Sequence, residues 1–290
     1  MRTLKELKKE IQFNRELFNL IDVLKEIASS QFRQLQAKRE YFFRFNQSLE
    51  GFLENVQLRE SKHPFFLKES DSTKDFSGIV MITSDAGFLG ELNSRVISAG
   101  LNLRKENDEL VILGERGAHF LEDLGESFLY FPGITEDIKY EQAQNLRDYL
   151  IQQYLKKRFR QIFMVYPKFV SFAHREIKTE QLLPYTPETE KVASGTSQPA
   201  ASTPLSEVLV EPDSERIIDY LIRVWMAQKI YDIFWESKLS EWASRVIHLE
   251  ESSEVTSQIN KKLQFFYFRT LHTLSDKNIR EIVASRLIER

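Results

Sequence analysis

The sequence predicts an α/β centre flanked by two long helices that pair antiparallel. Three observations predict it: where the helix breakers fall, where the apolar stripes fall, and how short apolar runs alternate with helical spacing in the middle. Within the 290 residues, all ten glycines lie between 51 and 195 and all eight prolines between 64 and 212. Glycine costs a helix interior about 1 kcal/mol and proline about 3. Tracts free of both, 1–50 and 213–290, therefore read as helix.

In the first tract Leu4, Leu7, Ile11, Phe18, Ile21, Ala28, Phe32 and Leu35 follow steps of three and four, interrupted by Asn14 and Lys25. Leu17, Leu20, Leu24 and Ile27 widen the stripe. A helix through residue 57 would run about 85 Å, too long for a small domain to cover. The last tract offers a stripe through Leu249, Val255, Ile259, Leu263, Phe266 and Leu274. Two such helices bury their stripes on each other as an antiparallel coiled coil.

Between them, "SGIVMITS", "ELVILG" (109–114) and "RQIFMVYPKF" (160–169) read as strands, and "HREIKTEQLLP" (174–184) as an edge strand. Leu92–Leu103 and Tyr140–Phe159 have helical spacing. Strands alternating with helices predict a small, mostly parallel sheet. Residues 186–207, rich in Ser, Thr, Pro and Ala, read as a flexible linker or surface loop. The predicted segments are 1–58, 76–185, 186–207 and 208–290.

Composition narrows the functional classes. Charged residues are 29% of the chain and the formal net charge is −3, so nucleic acid is not indicated as the main partner. The absence of cysteine excludes disulfides, thiolate metal sites and cysteine nucleophiles. The N-terminus MRTLKELKKE lacks the apolar stretch of a signal peptide, and no run has the length of a membrane span.

The turn "TSDAGFLGELN" after the first strand is the one place where phosphate chemistry suggests itself. It lacks the Gly-Lys-Ser/Thr of a P-loop, and Glu91 places negative charge after Gly90. It has two of the three glycines of a dinucleotide fingerprint. A tight corner packing a helix on a strand is the reading that remains. Histidines 63, 119, 174, 248 and 272 are scattered, with no metal-ligand spacing. The aromatic groups 41–43 and 265–268 fall at helical positions and suit packing better than base stacking. No catalytic, cofactor-binding or metal set is expected.

Three blocks together resemble the gamma subunit of F-type rotary ATP synthases. Leu24, Ile27, Ala28, Ser30 and Arg33 are similar to a segment of the family's opening helix. Ser84, Asp85, Gly87, Gly90 and Asn93 match its strand-to-helix turn. Glu236, Ser237, Ser240, Glu241, Ala243, Arg245, Leu263, Tyr267, Glu281, Ile282 and Val283 match its last helix without gaps. "EQLLP" (180–184) and "VEP" (210–212) also resemble family strings. Departures include Leu89 where the family has cysteine, and Leu271-His272 with Ser275 to Asn278 where it has polar catch residues. They leave room for an N-type branch or a specialised paralogue.

The resemblance implies a Rossmann-like central domain that binds no nucleotide, and a turn that orients a helix. It implies a non-catalytic rotor shaft at the cytoplasmic face of the membrane, coupling ion flow to ATP synthesis or hydrolysis. Its partners would be the alpha and beta subunits, the epsilon subunit and the membrane c-ring. The residues it places at subunit interfaces are Leu7, Ile11, Leu24, Ile27, Ala28, Arg33, Leu263, Tyr267, Glu281, Ile282, Val283 and Leu287. Alternatives are a non-rotary coiled-coil adaptor that has lost the ATPase, and a standalone enzyme, which no residue set supports.

Overall fold

A computed structural model describes residues 3–55, 64–66, 76–172, 174–185 and 214–288, with side chains at 3–38, 64–66, 76–172, 174–185 and 216–285. The expected linker 186–207 lies outside the described residues. The elements are α1 (Leu4–Asn55), β1 (Ser77–Ile82), α2 (Leu92–Leu103), β2 (Glu109–Leu113), α3 (Glu115–Asp123), β3 (Phe128–Phe131), α4 (Tyr140–Leu155), β4 (Gln161–Phe169), β5 (Arg175–Leu183) and α5 (Ser214–Ile288). Two compact units emerge: Met1–Ser30 with Arg245–Arg290, and Gln31–Ser244.

In the second unit the strands form one sheet in the order β3-β2-β1-β4-β5. The first four are parallel and β5 returns antiparallel along β4 as an edge strand. All six residues of β1 are buried, as expected when helices cover both faces of a parallel strand. Ile79 and Met81 pack with Leu110, Ile112, Val96 and Ile97 under α2 and α3. By alternation, Val80 and Ile82 face the other side, where α4 buries Leu146 and Leu150. The part of α5 in this unit is tied to α4 and the sheet. Tyr140 and Tyr231 stack edge-on at 5.3 Å, and Ser240 Oγ donates to the Pro167 carbonyl at 3.0 Å.

The helix expected over Tyr140–Phe159 stops at Leu155. Lys157 takes φ 57°, which ends the helix, and Phe159 turns into the core. A Cβ on Gly78 would lie 2.8 Å from the Phe159 ring, so glycine is required there for β1 to pass.

In the first unit α1 and α5 run as an antiparallel pair. The stripe expected on α1 is the one that packs: Leu7, Ile21 and Ala28 are buried. The stripe expected on α5 is not. Leu249 and Leu263 are buried, but Val255, Ile259, Phe266 and Leu274 are exposed. Ser253 and Thr256 are buried in their place. Small polar side chains thus hold buried positions of α5 between Leu249 and Leu263, where the apolar stripe was expected to continue.

Candidate functional site: the helix pair and the strand-to-helix turn

Lys25 Nζ lies 3.0 Å from Glu250 Oε2 on the opposite helix and 3.1 Å from Asp22 Oδ1 on its own. The hydrogen bond to Glu250, then that to Asp22, holds the Lys25 amine above its usual pKa. This contact, with the buried positions of each helix, sets the register. Antiparallel counting places Ile21 level with Ser253, Phe18 with Thr256, Asn14 with Asn260, Ile11 with Leu263 and Leu7 with Tyr267.

The same register explains the exposure of the α5 end. The first residue of α1, Leu4, comes level with Thr270. Every described side chain from Leu271 to Ser285 is exposed, Ile279, Ile282 and Val283 among them.

The two flanks of the pair differ. Phe13, Leu20 and Ile27 stand exposed on α1, and Val255, Ile259 and Phe266 on α5. In an antiparallel pair with this seam, the two sets fall on one flank. The other flank carries Gln12, Arg15, Asn19 and Glu26 facing Glu254, Lys261 and Gln264, all exposed. The helix pair is apolar on one flank and polar on the other.

In the second unit, the five predicted turn residues come together after β1. The Ser84 N–H donates to Asn93 Oδ1 at 3.2 Å, and Asn93 Nδ2 donates to Ser84 Oγ at 2.9 Å. Asp85 Oδ1 accepts the N–H of Glu115, the first residue of α3, at 2.9 Å. A carboxylate therefore occupies the positive end of that helix. Gly133 passes so close that a Cβ would lie 2.3 Å from the Asp85 oxygens. Gly90 takes φ 57°, which glycine adopts freely, whereas the neighbouring positive φ of 64° belongs to Phe88, whose side chain is exposed.

A buried polar network, invisible to sequence reading, anchors α5 to the sheet. Glu180 Oε1 lies 2.9 Å from Lys229 Nζ, and Tyr166 donates its hydroxyl to Glu180 Oε2 at 2.8 Å. Lys178 Nζ lies 3.3 Å from the same oxygen. Burial alone would raise the Glu180 pKa. The Lys229 charge and hydrogen bond, aided by Lys178 and Tyr166, overcome it and bring the carboxyl down to about 2. Burial and the adjoining Glu180 charge push the Tyr166 phenol well above its ordinary range. Along α5, Lys238 Nζ and Glu241 Oε2 form a buried pair at 3.0 Å.

A protein-family model described as ATP synthase matches residues 3–286. The chain belongs to the ATP synthase gamma family. An ATP synthase gamma chain of Halothermothrix orenii is 26% identical, over 98% of this chain and 98% of that one. That of Cytophaga hutchinsonii is 25% identical, over 98% and 97%. Among solved structures, the fold is shared with the rotor of Euglena gracilis mitochondrial ATP synthase, with a TM-score of 0.64, 13% identity and coverage of 93% and 98%. It is also shared with the central stalk/c-ring of the Tetrahymena thermophila enzyme, with a TM-score of 0.60, 22% identity and coverage of 81% and 99%.

On this gamma-family fold the residues expected at interfaces occupy three settings. Leu7, Ala28 and Leu263 are buried, and Ile11, Leu24 and Tyr267 half-buried, along the seam of the pair. Ile27 belongs to the apolar flank, and Arg33 is exposed on α1. Glu281, 3.7 Å from Lys277, is exposed with Ile282 and Val283 beyond the level of Leu4. The side chain of Leu287 lies outside the described residues. Sequence reasoning missed Lys229, Glu180 and Tyr166, because the partners of the ion pair lie far apart in the chain.

Proposed function

We propose that the helix pair of this gamma-family chain is the shaft of a rotary ATP synthase, turning inside a ring of alpha and beta subunits. The observation that carries this reading is the exposed end of α5, where Ile279, Ile282 and Val283 stand without cover from α1. An apolar end of this kind suits a collar, because nonspecific packing traps no single angle. The difference between the two flanks supports the same reading. Each beta subunit in turn would meet the apolar flank and then the polar one, and its binding state would be biased accordingly.

In this reading the chain supplies no catalytic group and binds no cofactor. The sheet-bearing unit faces the epsilon subunit and the membrane c-ring, at the cytoplasmic face of the membrane. No helix among the described residues is long and apolar enough to cross a membrane, so attachment would come through those partners. The full-length family match favours the shaft over the adaptor reading.

The test is the double variant Ile282→Asp, Val283→Asp. Both side chains are more than half exposed, at 55% and 53%, so the melting temperature of the isolated chain should hold. Co-purification with the alpha and beta subunits should weaken. Intact assembly with normal ATPase activity would contradict the placement.

A further inference from the structure

Between α5 and the turn after β1 lies a small cavity of about 10 Å³. Its polar lining comes from Thr83, Ser84 and Asn93 on the turn and from Ser237 and Glu241 on α5. Ile82, Leu89, Leu92 and Ile134 line the rest of it with hydrocarbon. One turn further along α5 from Ser237, Ser240 meets the sheet directly through the Pro167 carbonyl. Ser237 has no such partner: its residue is 4% exposed, and its Oγ is buried without a hydrogen-bond partner among the described residues. A hydroxyl carries one donor and two acceptor sites, and leaving all of them unmet in a buried place is costly.

We propose that this cavity is a binding site for one ordered water molecule, which joins Ser237 of α5 to the strand-to-helix turn. The volume matches a single water and no larger ligand, since roughly 10–15 Å³ is the space one water needs. The lining offers the two to four polar partners that a buried water requires. Ser237 donates to it, and it donates in turn to the Glu241 carboxylate and a hydroxyl of the turn. Glu241 takes Lys238 on Oε2, and a carboxylate has acceptor capacity for further donors.

The site makes the turn and α5 one hydrogen-bonded body. Ser240 fastens the helix to β4 directly, and the water fastens it to the end of β1. This accounts for the two small polar residues Ser237 and Ser240 on a buried helix face. Small side chains allow the close approach, and the water satisfies the one that reaches no carbonyl.

The experiment is a high-resolution crystal structure of the full chain, paired with water-oxygen magnetic relaxation dispersion in solution. Expected is a density peak at about 3 Å from Ser237 Oγ, and one long-lived water in the wild type that is lost in Ser237→Val, whose extra carbon fills the space. Should Ser237→Val fail to fold, Ser237→Ala removes one partner, and the residence time of that water should shorten. Ser237 Oγ bonded to a backbone carbonyl with no peak beside it would overturn the proposal. So would an unchanged count of long-lived waters in a folded Ser237→Val chain.

Discussion

Lys229 Nζ on α5 sits 2.9 Å from Glu180 Oε1 on β5, and the carboxylate it meets is buried. Removing the charge of Glu180 takes from Lys229 the carboxylate that it meets at the sheet edge. The depression of Glu180 from 4.5 to about 2 corresponds to a contribution on the order of 3 kcal/mol. Because its folded pKa is lowered, that contribution is present in full above 4.5 and is lost as the pH falls towards about 2. Glu180→Gln should therefore destabilise the chain at neutral pH and flatten the decline of stability below 4.5. Urea melts across that range measure both effects.

Asp85 and Gly133 should be energetically coupled. Asp85→Ala removes the acceptor at the start of α3 and should cost about 1 kcal/mol. Gly133→Ala drives a methyl into the Asp85 carboxylate, and should cost about 1–3 kcal/mol. In the Asp85→Ala background most of the Gly133→Ala penalty should vanish. Additive losses in the four-membered cycle would place the strain of Gly133→Ala elsewhere.

Phe88 spends conformational energy without gaining burial. Its φ of 64° is unfavourable for a side chain with a Cβ, and its ring is exposed. Phe88→Gly should stabilise the isolated chain by about 1 kcal/mol, read as a higher denaturation midpoint. A lower midpoint would mean that the ring packs more than its exposure indicates.

Asn14 and Asn260 share a layer of the helix pair. Asn14 Nδ2 donates one hydrogen to the Glu10 carbonyl at 3.0 Å, and Asn260 Oδ1 is a buried acceptor. Asn14→Leu alone and Asn260→Leu alone each set an amide against hydrocarbon and should destabilise by about 1–2 kcal/mol. The double variant should recover most of that loss. Thermal melts of the four chains give the coupling, and a double variant as weak as the sum of the singles would deny the shared layer.

The legible parts of this chain are those where one physical rule dominates. The Leu7–Ile21–Ala28 stripe, the run Ile79–Ile82 and the string Ser84 to Asn93 could be read from spacing or motif alone. The seam of α5 could not, because shape governs it: Ser253 and Thr256 are chosen to fit Ile21 and Phe18, and neither looks like a core residue. Two short elements also escaped. α3 spans nine residues and β3 four, and the half-buried Phe128–Phe131 strand has neither alternation nor length to mark it. The left-handed Phe88 leaves no trace in composition.

Rotation of this chain inside its ring can be watched directly. The chain has no cysteine, so Glu106→Cys on the exposed loop after α2 gives a single attachment point for a bead. The measurement is single-molecule observation of that bead, with the chain assembled with its own alpha and beta subunits, immobilised through the ring and supplied with ATP. Stepwise rotation in one direction that stops when ATP is withdrawn is the expected result. A complex that hydrolyses ATP while the bead stays still, or a chain that never enters the ring, would contradict it.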